Sequence, residues 1–264
     1  MPIYEMDNCV GCSGKRGALK RKTTGNLYLI RDKRTWYNIK EALRQIIINR
    51  VEDAYTFNAK KVMNVKPVDN VPQTLDFADA VVRLYQNETN GQKEFWDNYK
   101  KQEDEIKKQL PNYQGKKWSL PGKGGIGIAM WDKQVLVKGG KKYIVCISEG
   151  AVYVDSVKSL AGSKSNQKDS VDYSKPLSQL PDDAQKKVAY GIGNSLAHEA
   201  RHQLEVYPEH ADAGIGMDPN NTMHDYHSML FGSDSTFSVS DQSCIKDQIQ
   251  KLHKRQGRTV PIKR

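Results

Sequence analysis

The chain has 264 residues, of which 38% are apolar, 27% are charged and 8% are aromatic. This composition excludes collagen, a coiled coil, a disulfide knot and a wholly disordered chain, and no run approaches the ~20 apolar residues of a membrane-spanning helix. The first residues lack an apolar stretch after a basic start, so we expect a soluble protein without a classical secretory signal.

The net charge of +10 is concentrated at the two ends of the chain. Residues 1–66 carry 14 basic and 6 acidic side chains, and residues 246–264 carry 7 basic and 1 acidic, whereas the segment between them is mildly acidic. Basic ends of this kind attach weakly to polyanions. A nucleic-acid reader needs a basic stripe interleaved with stacking aromatics, so we do not expect nucleic acid as the partner.

The first part of the chain predicts a basic leader followed by helices. The leader, residues 9–27, contains Cys9 and Cys12, which are ordinary thiols, a redox pair or an inhibitory thiolate ligand for a metal held elsewhere. Apolar spacing predicts three helices: Trp36 to Val51, a segment that starts at Thr74 or Asp76 and runs through Tyr85, and about 92–110.

Four short β-branched runs come next and predict an antiparallel meander. Two-residue turn signals separate the runs, because such dipeptides tolerate the positive φ of tight hairpins. The runs are 126–131, 134–138, 141–148 and 151–157, and the turn signals are Asp132-Lys133, Gly139-Gly140 and Glu149-Gly150.

A long helix is predicted from Pro181-Asp182-Asp183, a typical N-terminal signature, to a point before Pro208. Apolar residues recur every four positions on one side and predict contact with the sheet; they are Val188, Ile192, Leu196 and Ala200. Another side carries Gly191 and Ser195 before two histidines, and we expect these small residues to leave open space above the helix.

All six histidines lie at or after His198, and two of them belong to His198-Glu199-Ala200-Arg201-His202. Helical residues four apart project from the same side, so both imidazoles can bind one Zn²⁺. Glu199 points about 100° away from His198. It can therefore stay out of the coordination sphere, take a proton from a zinc-bound water and pass it to the leaving amine. The pattern predicts a catalytic zinc site.

The HEARH segment resembles the active-site motif of the zincins, which are zinc metallopeptidases, and the chain after it is similar to the metzincin branch. Metzincins carry HExxHxxGxxH and a methionine turn beneath the metal. Here, within HEARHQLEVYPEH, Glu205 replaces the glycine and His210 comes two residues late, after an insertion ending in Tyr207-Pro208 that allows the same turn. The resemblance covers about a quarter of the chain. It implies a Zn²⁺ cofactor, His210 as third ligand, and Met223 in the methionine turn, with Met217 as the rival.

Other third ligands remain open. The aspzincin branch uses an aspartate, for which Asp212 and Asp225 are the candidates, and His224 and His227 are further candidates. In some metzincins a tyrosine shortly after the methionine turn assists the transition state. Tyr226 is the matching residue, and the resemblance implies a catalytic role for it.

These patterns predict an α+β, zincin-like fold: an antiparallel meander packed on the active-site helix, then a methionine-turn-like loop and a C-terminal helix. We expect a basic extension over residues 1–66 and a metallopeptidase domain over residues 67–264. The expected activity is zinc-dependent hydrolysis of peptide bonds in a protein or peptide substrate. The alternative is a non-catalytic, metal-stabilised protein that contacts a polyanion through its basic ends. The layout resembles bacterial metallopeptidase toxins exported by specialised secretion systems, which implies a cognate inhibitor or immunity protein.

Overall fold

The structure, a computed structural model, describes residues 3–6, 23–119, 125–163, 170–206, 211, 213–217 and 226–256. These residues form three layers, with one large sheet between helices on both of its faces. None of the helices within these ranges is long and apolar enough to cross a membrane. The predicted leader, with Cys9 and Cys12, lies largely outside the described residues.

In the part of the chain that the structure describes, six strands form the main sheet, two more form a small hairpin, and six α-helices surround them. The strands are β1 (Ile3–Met6), β2 (Gly25–Ile30), β3 (Thr56–Phe57), β4 (Lys60–Lys61), β5 (Met63–Val68), β6 (Ala80–Tyr85), β7 (Gly127–Lys138) and β8 (Lys141–Tyr153). The helices are α1 (Glu41–Ala54), α2 (Glu88–Gln109), α3 (Val154–Ala161), α4 (Asp182–Gln203), α5 (Tyr226–Phe231) and α6 (Val239–Gln256).

The main sheet is mixed. Strand β2 pairs in parallel with β5 and β6, and β6 pairs in parallel with β8. Strand β1 pairs antiparallel with the first part of β8, and β7 pairs antiparallel along the whole opposite edge of β8. Among the described residues, no backbone group pairs with the outer side of β7. Within the described residues β7 is therefore an antiparallel edge strand, and its Lys133 carbonyl accepts a hydrogen bond from the Arg255 guanidinium at 3.1 Å.

The antiparallel meander is the first part of the predicted fold that the structure corrects. Two long strands replace the four short ones, and only Gly139-Gly140 forms a turn, with φ of 57° and 75°. The other two signals lie inside strands because their acidic side chains find partners there. Asp132 accepts hydrogen bonds from the Tyr113 hydroxyl at 2.6 Å and the Lys116 backbone N–H at 3.1 Å. Glu149 accepts one from Gln102.

The expected helix through Phe77 to Tyr85 is also wrong, because Ala80–Tyr85 forms strand β6. Spacing alone does not separate a short apolar helix from a strand buried on both faces, and β6 is nearly all buried between β2 and β8. The mixture of helix and strand is confirmed, as are helices near the other predicted positions, which are α1, α2, α4 and α6.

The sheet and the core extend across residue 66, where the sequence suggests a boundary. Strand β2 lies between β5 and β6, and its Leu27 and Leu29 belong to the same core as Leu196 of α4. This core lies between the sheet and the layer that contains α1 and α4. A second core lies beneath α2 on the opposite face, around Phe95 and Ile147.

The last turn of α4 is attached to the sheet by polar groups. The Gln203 amide accepts a hydrogen bond from the Val81 N–H at 2.9 Å and donates one to the Val81 carbonyl at 3.0 Å, just before the β6–β8 ladder begins at Val82. The Ser148 hydroxyl donates to the same Gln203 oxygen at 2.6 Å. The buried Lys133 ammonium donates to the carbonyls of Phe77, Asp79 and Gln203.

We expect Lys133→Met to lower the free energy of unfolding by about 2–3 kcal/mol, because it leaves carbonyls without a donor in a buried place. Lys133 is 5% exposed, and this burial lowers the pKa of its ammonium. Urea unfolding measures the effect. Lys138→Met is the control, since the Lys138 ammonium contacts one carbonyl in an exposed position. An equal effect of both substitutions would remove the role assigned to Lys133.

Candidate metal centre

The small residues that precede the histidines do not leave open space. A Cβ atom at Gly191 would lie 2.5 Å from the Phe231 ring of α5, and one at Gly193 would lie 2.7 Å from Arg50 Cβ of α1. These glycines therefore allow two neighbouring helices to pack closely on α4. The apolar side of α4 does lie in the core as predicted, with Val188, Ile192, Leu196 and Ala200 fully buried.

The two histidines of the motif converge. The Nε2 atoms of His198 and His202 lie 3.0 Å apart, and the ring centroids are separated by 4.7 Å. Two nitrogens bound to one tetrahedral Zn²⁺ lie about 3.3 Å apart, given Zn–N distances of about 2.0–2.1 Å. The observed pair therefore fits two ligands of one zinc ion after a small adjustment.

A backbone carbonyl sets the orientation of His198. Its Nδ1 lies 2.7 Å from the carbonyl oxygen of Ile215, and because a carbonyl only accepts hydrogen bonds, Nδ1 carries the hydrogen. The lone pair of the neutral ring is then on Nε2, the atom that faces His202. Metal-binding histidines commonly show this arrangement, in which one ring nitrogen donates to the protein and the other is available to the ion.

Glu199 lies on the side of α4 that faces the beginning of β7, and only 6% of its surface is exposed. Its carboxylate lies directly against the backbone of Gly127, where a Cβ atom would overlap Glu199 Oε1 and approach the Ala151 carbonyl oxygen to 2.9 Å. Burial raises the pKa of Glu199 to about 8. A carboxyl group with a pKa near the working pH can both accept and donate a proton.

Glu205, which stands where the metzincin motif has a glycine, has the backbone conformation that favours glycine. Its φ is 56°, in the left-handed region, and its N–H donates to the His202 carbonyl at 3.0 Å. The Arg255 guanidinium donates to both carboxylate oxygens of Glu205, at 2.8 and 3.2 Å. The chain thus turns away from α4 at this position despite the missing glycine.

Most of the candidates for a third ligand lie outside the described residues. Four candidates fall on residues without a described placement: His210, Asp212, His224 and Asp225. Within the described ranges, no group of three or more His, Cys, Asp or Glu side chains is arranged to hold a metal ion. His227 is described, and its ring packs 4.5 Å from that of Phe231.

Tyr226 lies beside His198, and Met217 belongs to the segment whose Ile215 carbonyl contacts His198. Tyr226, the first residue of α5, lines a small cavity together with His198 and Ile215. Met217 is fully buried two residues after Ile215, whereas its rival Met223 is outside the described residues.

Sequence reasoning missed the Ile215 carbonyl and the space at Gly127, because neither a backbone atom nor a missing side chain produces a motif.

Comparison of the chain with protein-family models, with curated proteins and with solved structures finds no match.

We expect Gly127→Ala to lower the free energy of unfolding by about 1–3 kcal/mol, because the new methyl group overlaps the Glu199 carboxylate. The loss is expected to shrink when Glu199→Ala is also present, and denaturant unfolding of the single and double variants measures this coupling. Gly125→Ala is the control, since its Cβ would have one ordinary contact at 3.4 Å. Additive effects would show that Gly127 does not make room for Glu199.

We expect Glu205→Gly to raise the free energy of unfolding by about 0.5–1 kcal/mol, because glycine adopts a φ of 56° without steric strain. Glu205→Ala is the matched control: it removes the same ion pair with Arg255 but retains a Cβ atom. Thermal unfolding compares the two variants. Equal melting temperatures would show that backbone strain at this position is negligible.

Proposed function

We propose that this protein is a zinc-dependent endopeptidase. One observation carries the proposal: two imidazole nitrogens lie 3.0 Å apart on a helix whose intervening glutamate is buried against Gly127 of the edge strand β7. A structural metal site does not need this glutamate. A hydrolytic site does, because a base must take the proton from the attacking water.

His198 and His202 would hold the zinc ion, with His210 as the preferred third ligand and Asp212 or Asp225 as the alternatives. Zinc, when bound, supplies a Lewis acid that polarises the peptide carbonyl and lowers the pKa of water. Glu199 takes a proton from the attacking water and delivers it to the leaving amine. Tyr226, which shares a cavity with His198, is the proposed donor to the developing oxyanion.

An extended peptide substrate would lie along β7. The outer edge of this strand presents backbone groups that pair with no described strand, and Gly127 at its beginning contacts Glu199. Main-chain hydrogen bonds to such an edge bind a peptide with little dependence on its side chains. The peptide bond to be cut would then lie beside both Glu199 and the histidine pair.

The mixed sheet supports the similarity to metzincins, since these enzymes place a mixed sheet before the active-site helix. The left-handed turn at Glu205 supports it as well, because this is the position at which the metzincin glycine turns the chain. A role as an exported bacterial toxin, with an immunity protein as partner, rests only on the layout of the sequence and remains a secondary part of the proposal.

We expect one zinc ion per chain in the purified protein and in Glu199→Gln, and less than one in His202→Ala. Elemental analysis measures the metal content, and His253→Ala is the control because His253 contacts Thr24, away from the motif. Added zinc should raise the melting temperature of the wild type but not that of His202→Ala. A folded wild type that takes up no zinc would refute the proposal.

Glu199→Gln is expected to retain zinc and to lose peptide hydrolysis by a factor of about 10²–10⁴, which is the usual contribution of a general base. Cleavage of unfolded casein or a mixed peptide library is the assay, and Glu205→Gln is the control near the same helix end. If Glu199→Gln retains full activity, or if the zinc-loaded wild type cleaves nothing, the non-catalytic binding protein becomes the better interpretation.

A further inference from the structure

One of the two variable positions of the motif is occupied by a buried charge. Arg201 lies between Glu199 and His202 in sequence, and its side chain is fully buried. Its Nε and one terminal nitrogen donate to Asp241 Oδ1 of α6, at 3.0 and 2.7 Å. Asp241 is 4% exposed, so both charges have been removed from water.

The backbone of Gly216 packs directly on this ion pair. A Cβ atom at Gly216 would overlap Asp241 Oδ2 and lie 3.0 Å from Arg201 Nε. The neighbouring residue Ile215 is attached to the segment before α6, because its N–H donates to the Thr236 carbonyl at 3.0 Å. The ion pair and the chain before α6 thus hold the segment 213–217 from two sides.

This segment carries the carbonyl that orients His198. The Ile215 oxygen accepts from His198 Nδ1 at 2.7 Å, one residue away from the Gly216 contact with the ion pair. The Gly216 carbonyl also accepts from the Ala211 N–H at 2.8 Å, and Ala211 is the sequence neighbour of His210 and Asp212. A shift of Gly216 would therefore move the carbonyl that supports His198 and the hydrogen bond that Gly216 makes to Ala211.

We propose that Arg201 and Asp241 are positioning residues of the zinc site, which act through Gly216 and Ile215 to hold His198 with Nε2 toward the metal. The inference rests on the proposed function, because it assigns His198 to a zinc site. Its first test, the tautomer of the His198 ring, is made on the metal-free protein and does not depend on that function. The helix that supplies two metal ligands thus also supplies, from its buried side, the charge that holds their supporting loop in place. Loss of a hydrogen-bond partner behind a ligand typically lowers metal affinity 10–100-fold.

The test needs a variant that folds without the ion pair. Asp241→Asn alone leaves the Arg201 guanidinium buried without its carboxylate and is expected to unfold. The double variant Arg201→Met with Asp241→Val replaces both charges by apolar side chains of similar combined volume, an exchange that buried ion pairs often tolerate. Arg255→Gln is the control, because Arg255 also joins α6 to the end of α4 but pairs with Glu205.

The first readout is nitrogen-15 NMR of the His198 ring in the metal-free protein. Wild type and Arg255→Gln should show a protonated, exchange-protected Nδ1 and an unprotonated Nε2, whereas the double variant should show a mixture of tautomers. The second readout is Zn²⁺ affinity by competition with a chromogenic chelator, which should fall at least about tenfold in the double variant. A folded double variant with the wild-type tautomer and affinity would overturn the inference.

The two proposals can fail separately. If the wild type binds no zinc but the tautomer changes as expected, the positioning role stands and the peptidase proposal is refuted. If zinc binds and peptides are cleaved while the tautomer is the same in all variants, the peptidase proposal stands and the positioning role is refuted.

Discussion

The attachment of the last turn of α4 to the sheet is the constraint on which the candidate site depends. At Gln203 the helix ends against β6, where a side-chain amide continues the hydrogen-bond pattern of the sheet just before the β6–β8 ladder begins. The Lys133 ammonium, on the edge strand β7, donates a hydrogen bond to the Gln203 carbonyl. Because His202 and Glu199 lie within one turn of Gln203, their positions relative to β7 follow from these contacts.

The same attachment explains why an acidic side chain is buried at the site. With α4 held against the sheet, Glu199 faces the backbone of Gly127 and is largely removed from solvent. Burial disfavours the ionised carboxylate, which is an energetic disadvantage for the fold. A carboxyl group that exchanges protons near neutral pH is useful in hydrolysis. The proposed catalytic role would therefore explain why an acidic side chain is buried at this place.

Around this site, several parts of the chain that are distant in sequence meet. The edge strand β7 contributes Gly127, the segment 213–217 contributes the Ile215 carbonyl, and α6 contributes Asp241 beneath it. Every one of these groups contacts a residue of the HEARH segment. The motif is therefore held by contacts on several sides of α4, whereas an isolated helix with the same sequence would leave both imidazoles free to rotate.

The sequence by itself determined the local features of this protein. Spacing of four residues places His198 and His202 on one side of a helix, and the structure has that helix with the two Nε2 atoms together. The Gly139-Gly140 turn was predictable as well, because it depends on backbone conformations that glycine tolerates. Only the tertiary structure decided where the other turn signals would fail, since Asp132 and Glu149 remain in strands once distant partners satisfy their charges. The tertiary structure also decided that Ala80–Tyr85 is a central strand and that Gly127 and Ile215 contact the HEARH segment. These contacts join segments that are far apart in the chain, and no local sequence pattern indicates which distant segments will pack together.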